Sequence, residues 1–185
     1  MENFKILILV LLGILSRIIP HPANFTLVGG MALYLGKSRQ SLLIPLASMF
    51  LADMILGFDS LVMRIIVYGS MGLMYLAGKL IKNLWLASLM GSWLFFMVTN
   101  IGVWLTVSMY EKTLWGLTQS LFMGFPFWRN ALIADVLFAQ AFRFGDILIH
   151  SEKTASIIIN LMHSPVTSGN ILLDRIFPGR KHTDR

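Results

Sequence analysis

Apolar residues fall in long blocks separated by short polar breaks. The first block covers residues 4–19 and stops at Pro20-His21-Pro22, where two prolines in three residues cannot continue a helix. A shorter block, 25–36, ends at Lys37-Ser38-Arg39. Blocks follow at 42–57, 61–80 and 84–107. A gentler stretch, 113–127, is rich in Gly, Trp and Phe, and Trp128-Arg129-Asn130 opens a last block reaching residue 149. Most blocks approach the ~20 residues that a helix needs to cross a bilayer. At about 12 residues, block 25–36 is too short for a straight crossing and must lean on its neighbours. The pattern predicts an all-α polytopic membrane protein of six transmembrane helices. It divides into a transmembrane domain, 1–149, and a basic cytoplasmic tail, 150–185. Stretch 113–127 reads as a lid dipping in before the last helix.

Composition changes the picture only by strengthening it. Apolar residues make up 56% of the 185, charged residues 13%, and mean hydropathy is +0.73. Soluble domains carry about 25% charge. A soluble enzyme, a disordered chain and a nucleic-acid-binding domain are therefore poor readings. The net charge of +6 fits the positive-inside rule instead. With six spans and the N-terminus in the cytoplasm, the cytoplasmic side carries eleven Lys and Arg against five Asp and Glu, and the outer side four against four. Both termini then lie on the cytoplasmic side of a cell membrane. The first block has no small-x-small cleavage site and reads as a span, not a signal peptide.

Charge inside a bilayer is costly, so its position carries information. In this topology Arg17, His21, Asn24, Asp53, Asp59, Arg64, Asn100, Trp104, Arg129, Asn130 and Asp135 all gather near the outer face. The inner halves of the spans are nearly bare. This arrangement predicts a cup open to the outside. His21, Asn24, Asn100, Trp104, Arg129, Asn130 and Asp135 are the candidate substrate-binding residues, with Arg129 suited to an anionic group on the ligand. Asp53, Arg64 and Arg17 are candidate structural pairs. The cations also have a plain alternative role, snorkelling to headgroups. Gly69, Gly72, Ala77 and Gly78 are candidates for close helix contact.

Recognisable catalytic chemistry is absent. There are no cysteines. Gly36-Lys37-Ser38 lacks the upstream glycine of a phosphate loop, that position being Met31. The four histidines, His21, His150, His163 and His182, are too scattered for a metal site, and no cofactor is expected. An intramembrane enzyme would need Asp53 and Asp135 to share one water. A six-residue echo, 51–56 against 133–138, places an Asp after an Ala in both copies.

Several strings carry a resemblance: Ser16-Arg17-Ile18-Ile19-Pro20-His21-Pro22-Ala23-Asn24-Phe25-Thr26, Leu51-Ala52-Asp53, Thr99-Asn100-Ile101-Gly102-Val103-Trp104, Met109-Tyr110 and Phe127-Trp128-Arg129-Asn130. Over residues 4–148 the chain resembles a group of uncharacterised small bacterial membrane proteins. That group is similar in layout to the substrate-binding S components of energy-coupling factor transporters. The resemblance implies six helices, a site near the outer face, a vitamin or related micronutrient as ligand, and docking on a membrane coupling subunit with two ATPases. S components dock through small residues spaced by four on the first helix, whereas Gly13 and Ser16 here are spaced by three. The expected function is a non-enzymatic substrate-binding subunit for nutrient uptake, embedded in the lipid bilayer, with a small-molecule solute and no nucleic acid as partner. The alternative is a structural or assembly membrane protein without a solute.

Overall fold

The computed structural model describes residues 2–163. It contains six helices and, among the described residues, no strands. They are α1 (Glu2–Ile18), α2 (Leu27–Lys37), α3 (Leu43–Leu56), α4 (Leu61–Leu80), α5 (Leu84–Thr106) and α6 (Leu114–His163). The chain forms two compact units, Met1–Gly145 and Asp146–Arg185.

Local chemistry sets the helix boundaries. The Pro20-His21-Pro22 break ends α1. Gly57, at φ +98°, stops α3 in a backbone conformation that only glycine adopts cheaply. Ser60 caps α4 by accepting from the Met63 amide at 3.3 Å. Asn83 caps α5 by accepting from the amides of Trp85 and Leu86.

Helix α2 is the centre of the first unit. Residues Leu27 to Gly36 are all buried. Its 11 residues span about 16 Å, half the thickness of a hydrocarbon core. Burial on all sides explains how so short an apolar block persists as a helix. Glycines permit the close approach. A Cβ at Gly36 would overlap the Tyr75 carbonyl, and one at Gly78 would overlap the Leu33 carbonyl, so α2 and α4 touch backbone to backbone. Met31, Leu33, Leu35, Met49, Met74 and Leu84 fill the core around it. The ammonium group of Lys37 donates to the carbonyls of Ile81 and Lys82, which joins the α2–α3 and α4–α5 connections at one end of the bundle.

Helices α4 and α5 are long and apolar enough to cross a membrane, and only 28% and 33% of their apolar windows are buried. A soluble core helix would be buried over most of that length. Large apolar side chains instead face outward, among them Leu61, Ile65, Leu80 and Trp85. Helices α1 and α3 are shorter, at 17 and 14 residues.

One expectation is corrected here. Stretch 113–127 is not a lid separate from the last helix, because α6 runs from Leu114 through Pro126 without a break. The proline removes one N–H and crowds the carbonyl four residues before it. Packing on α5 keeps the helix going. The Ser120 hydroxyl donates to the Asn100 carbonyl at 2.9 Å. A Cβ at Gly124 would overlap Asn100 Oδ1. Trp128 packs on Trp93 and Phe96, with ring centroids 5.1 and 5.5 Å away. Of the expected basic tail, residues 150–163 continue α6 and residues 164–185 lie outside the described residues.

Candidate functional site

All six helices contribute to one cavity of about 370 Å³. Arg17 of α1 lines it, with His21, Asn24 and Thr26 of the α1–α2 connection. Gly29 of α2, Met49 of α3, Met71 and Met74 of α4, Phe95 and Thr99 of α5, and Ala131 and Asp135 of α6 complete the wall, with exposed Asp59 also in the lining. A second cavity of about 180 Å³ adjoins it and shares Asn24, Phe95, Thr99 and Ala131. Its other walls are Phe96, Asn100, Val103, Gly124, Phe127 and Trp128.

Helical spacing accounts for this lining. On α6, positions 124, 128, 131 and 135 recur every three or four residues and share one face. On α4 the same holds for 67, 71 and 74. Residues 95, 96, 99, 100 and 103 do so on α5. Large methionines and an aromatic ring supply apolar area, and a few polar groups give direction, as in ligand pockets generally.

The α1–α2 connection is fastened in place. The Phe25 amide donates to the Pro22 carbonyl at 2.9 Å. Asn24 takes φ +62°, which Asn tolerates better than most residues. The Asn130 amide donates to the Ala23 carbonyl at 3.1 Å, and the Phe25 ring meets Phe138 edge-on at 5.9 Å. The His21 Nδ1 lies 2.7 Å from the Pro22 carbonyl, which can only accept, so Nδ1 carries the proton.

Arg17 and Asp53 form an ion pair at 2.6 Å. The Tyr68 hydroxyl donates to the other Asp53 oxygen at 2.7 Å. One carboxylate thus ties α1, α3 and α4 together. Both its oxygens are engaged and it does not line the cavity, so it forms no dyad with Asp135. Arg64 is not part of this pair. Its Nη2 donates to the Asp59 backbone carbonyl at 3.1 Å, and its guanidinium lies 4.1 Å from the centroid of the Phe58 ring.

The candidate residues therefore separate. His21, Asn24 and Asp135 line the main cavity, and Asn100 lines the second. Asn130 braces the α1–α2 connection. Trp104 lines neither cavity. Its indole N–H donates to the Glu111 carbonyl at 2.8 Å, and its own carbonyl accepts from Lys112, which staples the α5–α6 turn. Arg129 is exposed and lines neither cavity, so it offers no anion contact inside them. The sequence reading missed Gly29, Met49, Met71, Met74, Phe95 and Thr99. The adjacent glycines 29 and 30 in the shortest apolar block were the available signal for a close approach.

Asp135 is 5% exposed. Its carboxyl lies against Gly29, where a Cβ would overlap Oδ1. The Ser92 side chain stands beside it, yet Ser92 Oγ closes no hydrogen bond of good geometry. Burying a carboxylate without an ionic partner is expensive. Among the charged side chains of the cavity wall it is the buried one.

No curated protein and no solved structure matches this chain. Its sequence places it elsewhere: the model of DUF6580, a family of unknown function, matches residues 1–157, and the chain belongs to that family.

Proposed function

We propose that this protein is a membrane-embedded solute-binding subunit for the uptake of a small nutrient, resembling the S components of energy-coupling factor transporters. In this reading all six helices lie in the bilayer and both termini are cytoplasmic. Short α2 is carried by the helices around it, and the α1–α2 connection closes the outer end above it. The observation that carries the proposal is the cavity of about 370 Å³ to which every helix contributes a wall. Its volume lies at the lower end of the range for ligand pockets, about 300–1,000 Å³. That favours a compact solute such as a vitamin or a related micronutrient. Nothing in the chain resembles a nucleotide site, so energy for transport would come from a coupling subunit with ATPases.

Native mass spectrometry of protein purified in mild detergent tests this reading. The expected result is a co-purifying small molecule that is lost when Met71→Trp fills the cavity. A protein that carries no small molecule, and whose thermal stability no nutrient raises, would favour a structural or assembly role instead.

A further inference from the structure

The polar groups facing the main cavity are unevenly matched. The charge of Arg17 is already balanced by Asp53, 2.6 Å away. His21 uses its Nδ1 proton on the Pro22 carbonyl, which leaves Nε2 as an acceptor in the neutral ring. The Thr99 hydroxyl donates to the Phe95 carbonyl at 2.8 Å, so only its lone pairs remain. Asp59 and Asp135 both line the cavity. Among the described residues neither carboxylate closes an ion pair, since the one within 4 Å joins Arg17 and Asp53. Arg64 is near Asp59, but it bonds the backbone carbonyl there and lies over Phe58. Arg129 stands outside the wall. Asn24 and Thr26 add neutral groups that can donate or accept. The cavity therefore offers no unmatched positive charge, and its two carboxylates, one of them buried, have no ionic partner among the described residues.

We infer that the solute is an organic cation, whose protonated nitrogen is held by Asp135 deep in the cavity while Asp59 draws it in at the rim. This rests on the solute-binding reading above and specifies its ligand class. The physical reason is complementarity. A buried carboxylate without an ionic partner is costly, and a cationic donor placed against it offsets that cost. An anionic solute would meet two carboxylates and a neutralised arginine. The ring of Phe95 in the wall, with Phe96 and Trp128 in the adjoining cavity, suits an aromatic or heteroaromatic portion beside the charged nitrogen.

Thermal unfolding of the purified protein in nonionic detergent tests the inference with three probes of similar shape. They are phenethylammonium, 2-phenylethanol and 3-phenylpropionate. Phenethylammonium is expected to raise the melting temperature most, and 3-phenylpropionate to leave it unchanged. Asp135→Asn should weaken phenethylammonium binding by at least about thirtyfold, the loss expected when one partner of a buried charge pair is neutralised. Asp59→Asn at the rim should weaken it only a few-fold, and Arg129→Gln should leave it unchanged. The comparison of probes on the unmodified protein stands even if Asp135→Asn is unstable. Stabilisation by the carboxylate or the alcohol equal to that by the ammonium would overturn the inference and leave solute binding intact. If no probe binds, native mass spectrometry decides. A co-purifying molecule with a cationic nitrogen upholds the inference, one without it sinks the inference alone, and no molecule at all sinks both readings.

Discussion

Asp135 occupies the cavity wall because Gly29 has no side chain: a Cβ on residue 29 would overlap the Asp135 carboxyl oxygen and would also crowd the Met74 methyl at 3.0 Å. Gly29→Ala should therefore destabilise the protein by about 1–3 kcal/mol, the usual cost of overpacking a filled interior. It should also push the Asp135 carboxyl out of position and weaken solute binding. Thermal unfolding with and without the co-purified ligand measures both effects. Wild-type stability and affinity in Gly29→Ala would show that the two helices are not in this close contact.

Gly69 and Gly72 supply the contrast. The sequence marks them, with Ala77 and Gly78, as candidates for close helix contact. Only part of that expectation survives, since a Cβ at Gly69 or Gly72 meets nothing within 4 Å, whereas one at Gly78 collides with the Leu33 backbone. Alanine at 69 or 72 should thus stabilise α4 by about 0.5–1 kcal/mol, through the lower backbone entropy lost on folding. Alanine at 78 should be strongly destabilising. The opposite signs of the three melting-temperature shifts are the diagnostic.

The Asp53 carboxylate makes a third prediction. It receives Arg17 at 2.6 Å and the Tyr68 hydroxyl at 2.7 Å, and the Arg17 and Asp53 side chains are 25% and 14% exposed. Partial exposure weakens such a pair relative to a fully buried one. A double-mutant cycle of Arg17→Met and Asp53→Leu should give a coupling energy of about 0.5–3 kcal/mol. Either single change should be worse than the double, because each leaves one charge without its partner. Additive melting-temperature changes would show that the pair is not coupled.

That Arg17, His21, Asn24, Asp59 and Asp135 gather in one region was legible in the sequence, and the rotation of residues about the helix axis was not. Arg129 and Asn130 are neighbours in the chain but point about 100° apart on α6. Only one step from Arg129, Trp128 lies on the face that meets α5 and lines the second cavity. Arg129 itself faces outward. The same limit explains why Asn100 was found and Thr99, beside it, was not. The breaks at Pro20-His21-Pro22 and at Gly57 were readable because they act through local backbone chemistry. The continuity of α6 was not, because Gly124 and Pro126 look like a break until Asn100 and Trp93 pack against that stretch. That Asp53 needs a cation was readable, because a carboxylate inside an apolar block is costly alone. Arg64 stood as near a candidate as Arg17, and only the packing of α1 on α3 selects Arg17.

Continuity of α6 across Pro126 gives a measurable consequence. In a lid, the amides of 116–128 would exchange freely with solvent. In one helix packed on α5 they should be protected, as far as the first turn allows. The proline also forfeits one helical hydrogen bond, so Pro126→Ala should keep the fold and stabilise it. Hydrogen exchange read by mass spectrometry over this segment checks the first point, and thermal unfolding the second. Rapid exchange throughout 116–128 would restore the lid.

Orientation in the membrane is open to an equally direct test, because the natural chain has no cysteine. Lys37 bonds the carbonyls of Ile81 and Lys82, so the α2–α3 and α4–α5 connections lie at one end of the bundle. A single cysteine at Gln40 or at Lys82 should therefore react with a membrane-impermeant maleimide only when the cytoplasmic face is opened. A cysteine at exposed Ser108, in the α5–α6 connection, should react on intact cells. These outcomes follow from placing the excess of Lys and Arg inside, which the orientation rule favours. Labelling of all three positions from the same side would mean that α5 does not cross the bilayer. The opposite labelling pattern would place the mouth of the cavity in the cytoplasm and remove the basis for uptake from outside.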